Sequence, residues 1–304
     1  MRSVKNWVLA TFILTFFVII AGGVVRTTQS GMGCPDWPTC FGKWIPPTNA
    51  SELPPDFEKY LKTQDIDHTF NVYHTWIEYF NRLAGVLLGV FAIIQLFLLY
   101  FKRKEQRTSY RLALAFLATV ILTGLFGAVV VKLNLAHASI SVHLLFAVVL
   151  TQLQLALLMS VNSGISYLPV QKNIRRIVAG LLVVILIQSV LGTMVRIYVD
   201  DVSKVLHYEK RETWLADSPV AFLIHRSFSW VVLLLTAFTA WYCRNESGVR
   251  KNIYYLTANI ILSMITGIVL YKLDMPAIAQ PLHLLLATIA VTQSVYILLK
   301  TKSV

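Results

Sequence analysis

Charge is what this sequence has least of. Asp, Glu, Lys and Arg make up 14% of its 304 residues, against the roughly 25% usual in soluble domains, and 56% are apolar. So low a charge density argues against a soluble globular chain. The familiar signatures of cofactor and nucleotide chemistry are missing too. There is no P-loop, no glycine-rich dinucleotide fingerprint and no zinc-type Cys/His spacing. No GxSxG motif or other nucleophile context surrounds any serine, so a Ser/His hydrolase is not supported. No span is broken by proline in its middle, as the discontinuous helices of many transporters are.

What is present is a series of long, nearly uncharged apolar runs. They cover residues 7–25, 83–101, 112–131, 140–161, 177–195, 220–242, 253–271 and 278–299. Each has about the ~20 residues a helix needs to cross the hydrocarbon. In lipid the backbone must satisfy its own hydrogen bonds, so such runs are helices. The fold expected is an all-α membrane protein of eight transmembrane helices. The first run is expected to stay as a span: it is longer than a signal's apolar core, and Arg26-Thr27-Thr28 follows it in place of a small-residue cleavage site.

Eight spans put both termini on one side, with loops 102–111, 162–176 and 243–252. That side holds fifteen Lys and Arg but only Glu105 and Glu246; the other thirteen acids fall on or near the opposite face. The positive-inside rule then places both termini in the cytoplasm of a bacterial cytoplasmic membrane. The net charge of +12 reflects this topology and anionic lipid. No nucleic-acid module accompanies it, so nucleic acid is not an expected partner. Cys34 and Cys40 lie in the first external loop. A close pair there can form and keep a disulfide, structural or redox-active; a dithiol and two free thiols are the alternatives. Cys243, at the cytoplasmic end of the sixth span, reads as an inert thiol.

The chain also repeats itself. Gly127-Ala128-Val129-Val130-Val131-Lys132-Leu133-Asn134 precedes His143-Leu144-Leu145-Phe146-Ala147. Then, 140 residues on (127 to 267, 143 to 283), come Gly267-Ile268-Val269-Leu270-Tyr271-Lys272-Leu273-Asp274 and His283-Leu284-Leu285-Leu286-Ala287. The first span ends Gly22-Gly23-Val24-Val25-Arg26 and the fifth Gly192-Thr193-Met194-Val195-Arg196. The second opens at Asn81-Arg82 and the sixth at His225-Arg226. Two pseudo-symmetric four-helix bundles are expected, residues 1–162 and 163–304, related by an axis along the membrane normal. They differ chiefly in the first external loop, 27–76, which is polar, Pro-rich and much longer than its counterpart 197–219. Extra sequence in one copy points to different tasks for the two halves.

Ionisable side chains within spans are functional by default. His143, His225 and His283 stand near the external face at matched depth, with Glu78 and Asn81 at the start of the second span. Two histidines aimed inward from facing helices are the usual axial ligands of a haem. His225 and His283 form such a pair in the second half. Arg26, Arg82, Arg196 and Arg226, in two repeat-equivalent pairs at the external ends, suit the propionates of haems lying edge-on to that face.

These residues resemble the haem A synthase family over essentially the whole chain. The most specific part is Gly22-Gly23-Val24-Val25-Arg26-Thr27-Thr28-Gln29-Ser30-Gly31-Met32-Gly33-Cys34-Pro35-Asp36-Trp37-Pro38-Thr39-Cys40, continuing to Ile45-Pro46-Pro47. Ile77-Glu78-Tyr79-Phe80-Asn81-Arg82 and the three histidines add to it. The resemblance implies an oxidoreductase acting on a CH3 group. It takes haem O and oxidises the C8 methyl to a formyl by successive hydroxylations and loss of water, giving haem A for terminal oxidases. It implies a haem b cofactor on His225 and His283, and substrate haem in the N-terminal half with Glu78 as the catalytic group beside the reacting edge. Cys34 and Cys40 match the family's first-loop disulfide, while a second cysteine pair of some members is missing here. Haem O synthase and oxidase assembly factors are the implied partners; a homo-oligomer is left open by the sequence.

Many members carry His where this chain has Asn81, a poor iron ligand. His74, Glu78 and Asn81 are spaced i, i+4 and i+7, so a helix starting one turn early would set them in one stripe. His74 would then join His143 on the substrate iron. The competing class of function is a dihaem electron-transfer protein of cytochrome b type, which the same histidines would serve. Glu78, the long first loop and the unequal ligation favour an enzyme.

Overall fold

A computed structural model describes residues 2–61, 70–162 and 167–303. Long helices dominate it: α1 (Arg2–Thr27), α3 (Val72–Tyr100), α4 (Arg107–Lys132), α5 (His137–Val161), α6 (Lys172–Val205), α7 (Val220–Tyr242), α8 (Arg250–Lys272) and α9 (Ala279–Lys300). A single turn, α2 (Glu58–Leu61), lies in the loop between α1 and α3. All eight long helices are long and apolar enough to cross a membrane, and each expected span falls on one of them. The chain is an all-α, multi-span membrane protein. Large apolar side chains such as Phe17, Val86, Ile93, Leu122 and Leu234 stand exposed along the spans, a surface that suits hydrocarbon and not water.

Several boundaries differ from expectation: α4, α6 and α8 start at Arg107, Lys172 and Arg250, inside the expected loops, and two further differences bear on the site. Helix α3 starts at Val72, inside the expected 27–76 loop, because the Asn71 side chain accepts from the backbone N–H groups of Tyr73 (3.0 Å) and His74 (3.2 Å) and caps it. Residues 62–69 of that loop lie outside the described residues. Helix α6 continues through Val205, so the expected loop 197–219 begins as helix. An Arg196–Asp200 ion pair at i, i+4 (2.8 Å) lies along this extension.

Contacts divide the chain into two units, Met1–Ser163 and Gly164–Val304. Residues 163–166, next to the expected boundary, lie outside the described residues. In the first unit α1, α3, α4 and α5 close a ring in which each helix packs on two others; α6, α7, α8 and α9 do the same in the second. The turns repeat as well. Asn134 and Leu135, and likewise Asp274 and Met275, all adopt left-handed φ of 51° to 58°. Leu135 N–H then reaches Val130 O at 3.0 Å, and Met275 N–H reaches Leu270 O at 2.9 Å. Asn and Asp take the first of these positions, as the non-glycine residues that tolerate it best.

The first unit's core packs Val8, Leu99, Ala113, Leu157 and Val161 at one level and Leu88, Ala92, Phe116 and Leu150 at another. A buried amide clasp joins three of its helices. Gln154 Nε2 donates to Gln95 Oε1 (2.7 Å) and Val8 O (2.9 Å), and Gln95 Nε2 donates to Gln154 Oε1 (3.2 Å). In the second unit the end that carries the C-terminal residues is tied by a short parallel pairing of β1 (Leu168–Val170) with β2 (Thr301–Ser303). Arg175 there donates to the carbonyls of Leu298 (3.1 Å) and Thr301, capping the end of α9.

Gln154→Leu strands the Gln95 amide in the bundle. A loss of about 1–2 kcal/mol is expected, read as easier unfolding in a steric-trapping assay. The double variant Gln95→Leu/Gln154→Leu should recover most of it, because no amide is then left unpaired. Equal stability of the single variant and the parent would show the clasp to be idle.

Candidate functional site

Four side chains at repeat-equivalent places each meet a glycine of the helix before them. A Cβ added at Gly22 on α1 would lie 3.9 Å from Asn81 Oδ1 on α3. At Gly127 on α4 it would lie 3.6 Å from His143 Cε1 on α5. In the second unit a Cβ at Gly192 on α6 would lie 3.0 Å from His225 Cε1 on α7, and one at Gly267 on α8 would lie 3.4 Å from His283 Cε1 on α9. The glycines thus leave room for an imidazole between paired helices. In the sequence they appeared only as part of the repeat.

The second unit brings two imidazoles close together, edge to face. The rings of His225 and His283 have centroids 6.4 Å apart and an interplanar angle of 77°. That separation fits one metal atom bonded to both rings, at about 2.0–2.1 Å per nitrogen plus the half-widths of the rings. His283 Nδ1 is bonded to Thr266 Oγ1 at 2.9 Å. His225 Nδ1 is buried without a hydrogen-bond partner, although the Gln188 carbonyl approaches its ring. Around them Arg196 pairs with Asp200 and donates to Gln280 Oε1. Arg226 lies over the Phe222 ring, 5.6 Å from its centroid.

The first unit is different. His143 Nδ1 is buried and without a partner. The helix start at Val72 sets His74, Glu78 and Asn81 on one helix, as the stripe requires. Glu78 is buried, and both of its carboxylate oxygens are engaged. Oε2 accepts from Cys34 N–H (2.7 Å), and Oε1 accepts from Arg82 Nε (3.1 Å) and Nη2 (2.5 Å). Arg82 also donates to the carbonyls of Asp36 (2.6 Å), Thr39 (2.9 Å) and Cys34 (2.7 Å). These contacts use all five guanidinium N–H groups. The arginine expected at a propionate is therefore fully engaged with Glu78 and the first loop.

That loop is built against α3. Cys34 and Cys40 form a disulfide, buried with Phe41 beside Leu53, Tyr60, Phe70 and Tyr79. Thr75 Oγ1 donates to Gly33 O (2.9 Å), and a Cβ at Gly33 would fall 2.3 Å from the His74 carbonyl carbon and oxygen. Asp36 accepts from the N–H groups of Phe41 (2.6 Å) and Gly42 (2.9 Å). Farther on, Trp76 donates to Pro47 O (3.2 Å) and Tyr79 to Trp44 O (2.8 Å), which lays the loop along α3. Cys243, by contrast, is a buried free thiol. Burial and the nearby Glu246 carboxylate push it up to about 11, so it stays protonated and unreactive near neutral pH.

Among the described residues, no three His, Cys, Asp or Glu side chains group to hold a bare metal ion. An iron already held in a macrocycle needs only one or two protein ligands, and the donor sets found here fit that case.

A family model described as cytochrome oxidase assembly protein, COX15-CtaA, matches residues 5–295. A protein named heme A synthase from Orientia tsutsugamushi (strain Ikeda) is 30% identical over 158 residues, 47% of this chain and 44% of that protein. Proteins of the same name from Ehrlichia ruminantium (strain Gardel) and Ehrlichia canis (strain Jake) are 26% and 23% identical over 326 and 327 residues. Those alignments take in 97% of this chain and 92% of each relative. The match thus spans less than half of the Orientia protein and nearly all of the Ehrlichia proteins.

Gly33→Ala sets a methyl group into the α3 backbone, which cannot give way. The expected cost to loop docking is about 3 kcal/mol, the upper end for overpacking, or roughly a hundredfold in the docked-to-undocked ratio. Limited proteolysis of the first loop in membranes should quicken by that factor. Gly31→Ala is the control: its new methyl would meet only the end of the Leu135 side chain, at 3.1 Å, and should change cleavage little. Equal cleavage of the two variants would contradict the close approach at Gly33.

Proposed function

This chain belongs to the COX15-CtaA family of cytochrome oxidase assembly proteins, and we propose that it is a haem A synthase. In this reading it is an oxidoreductase that converts the C8 methyl group of haem O to the formyl group of haem A. The observation that carries the reading is the unequal filling of four matched positions. Three hold histidine and the fourth holds Asn81. The second unit can grip an iron from both sides through His225 and His283, as a resident haem b requires. The first unit has His143 facing a position with no comparable ligand, which suits a haem that enters, reacts and leaves. Two bis-imidazole sites built from the four matched positions, the pattern of the dihaem electron-transfer alternative, would need a ligating side chain at position 81.

When bound, haem b supplies one-electron transfer. His225 and His283 hold it, while His143 holds the substrate iron, with His74 as the second candidate ligand. Asn81 provides a hydrogen-bonding side chain beside that site. Glu78 lies one turn outward from Asn81. Its carboxylate is held by Arg82 and by the Cys34 N–H, so a proton taken up there weakens the pairing with Arg82 and links proton handling at Glu78 to the first loop. Arg26, Arg196 and Arg226 are the candidates for propionates. Arg82 instead fixes Glu78 and the loop in register.

The membrane is assigned as the bacterial cytoplasmic membrane with both termini inside. The cation-rich face holding the termini supports this. So does the Cys34–Cys40 disulfide in the loop after the first span, since disulfides persist on the outer side. Haem O synthase, as the supplier of substrate, and the oxidase assembly factors are the partners this reading implies.

Pyridine haemochrome spectra and mass spectrometry of the purified protein should find haem b together with haem O, haem A or the hydroxylated intermediate. Haem b alone at two per chain would favour electron transfer and overturn the synthase reading. Among variants, Glu78→Ala should keep haem O but fail to convert it, His74→Ala should lose bound haem O, and Asn81→His should retain haem O more tightly. Normal haem A production by His74→Ala would leave His143 as the only ligand of that site.

A further inference from the structure

The two units differ in one residue that touches a ligand histidine from behind. Thr266 on α8 is buried and meets His283 Nδ1 at 2.9 Å. Its hydroxyl also donates to the Ser263 carbonyl at 2.8 Å. A hydroxyl has one proton. With that proton on Ser263 O, the Thr266 oxygen can only accept, so His283 Nδ1 must carry the hydrogen. The Ser263 carbonyl itself approaches the same ring, and a carbonyl also only accepts. Both neighbours therefore select the Nδ1–H tautomer and leave the Nε2 lone pair for a metal.

The repeat gives an internal control. Position 266 corresponds to 126 (266 less the repeat of 140), where the chain has Phe126. Phe126 packs edge-on to Phe146, with centroids 5.5 Å apart, and offers no hydrogen-bonding atom. His143, the counterpart of His283, has its Nδ1 buried without a partner.

We propose that Thr266 is a positioning residue that locks His283 in the ligating tautomer and makes the second unit's haem the permanently held one. The apolar Phe126 leaves His143 a weaker ligand, suited to a haem that must leave. This rests on the haem reading above. A hydrogen bond from Nδ1–H to an acceptor orients an imidazole ligand and raises its basicity, and removing such a partner typically weakens metal binding about 10–100-fold. A more basic imidazole also favours the ferric state, so losing the partner raises the reduction potential.

The test uses the purified holoprotein in lipid nanodiscs, with Thr266→Val, Thr266→Ser and Phe126→Thr compared with the parent. Haem b transfer to excess apomyoglobin should be about 10–100-fold faster from Thr266→Val, with a more positive midpoint potential. Thr266→Ser, which keeps the hydroxyl, should match the parent in both. Phe126→Thr should slow the release of haem O from the first unit. If Thr266→Val holds haem b with the parent's loss rate and potential, the positioning role is wrong while the haem reading stands. If the same changes appear in Thr266→Ser, the effect is packing, and the proposal also fails. A parent protein that binds no haem b would remove the haem reading and this inference with it.

Discussion

Helices in these units pair closely where a glycine on one meets an inward polar side chain on the next. In hydrocarbon such a side chain must find its partner inside the protein, and an imidazole needs space between backbones that are otherwise in van der Waals contact. Gly22, Gly127, Gly192 and Gly267 leave that space at four matched points. Much of the candidate site depends on this. The glycines set how closely α1, α4, α6 and α8 approach their partners, and the approach sets the depth at which the rings stand. In the second unit it brings His225 and His283 to a separation that one metal atom can bridge.

On that shared framework the first unit carries an addition. The disulfide loop is fastened to α3 by Arg82, whose guanidinium binds three loop carbonyls and the Glu78 carboxylate together. Glu78 in turn holds the Cys34 N–H. A buried ion pair of this kind is tolerable only because every donor and acceptor is satisfied. It makes the loop and the carboxylate one mechanical element: the loop cannot lift without changing the hydrogen bonding of Glu78. Among the described residues the second unit has no such element. Its Arg226 stands over a phenylalanine ring.

Hydropathy alone located the eight spans, because nothing but membrane helices produces so many uncharged runs of that length in one chain. It missed the start of α3 and the end of α6, since polar residues drive both: Asn71 as a cap, and Asp200 beside Arg196. The histidines, Glu78 and the cysteine pair stood out as rare residue types in an apolar chain. Their partners did not. A guanidinium looks the same in sequence whether it meets a propionate or a set of carbonyls, so Arg82 could not be told from Arg226. Thr266 was hidden among many hydroxyls that bond back to their own helix, as Thr236, Thr288 and Thr292 do. Only the distance to His283 sets it apart. The repeat could have revealed it, since 126 and 266 are aligned positions that differ in hydrogen-bonding capacity.

The central claim is that the second unit holds a haem between His225 and His283. Electron paramagnetic resonance of the oxidised, purified protein tests it directly, alongside His225→Leu and His283→Leu. The account predicts a low-spin bis-imidazole haem b, absent from both variants while the protein still inserts. A bis-imidazole haem b signal that survives in both variants would contradict it.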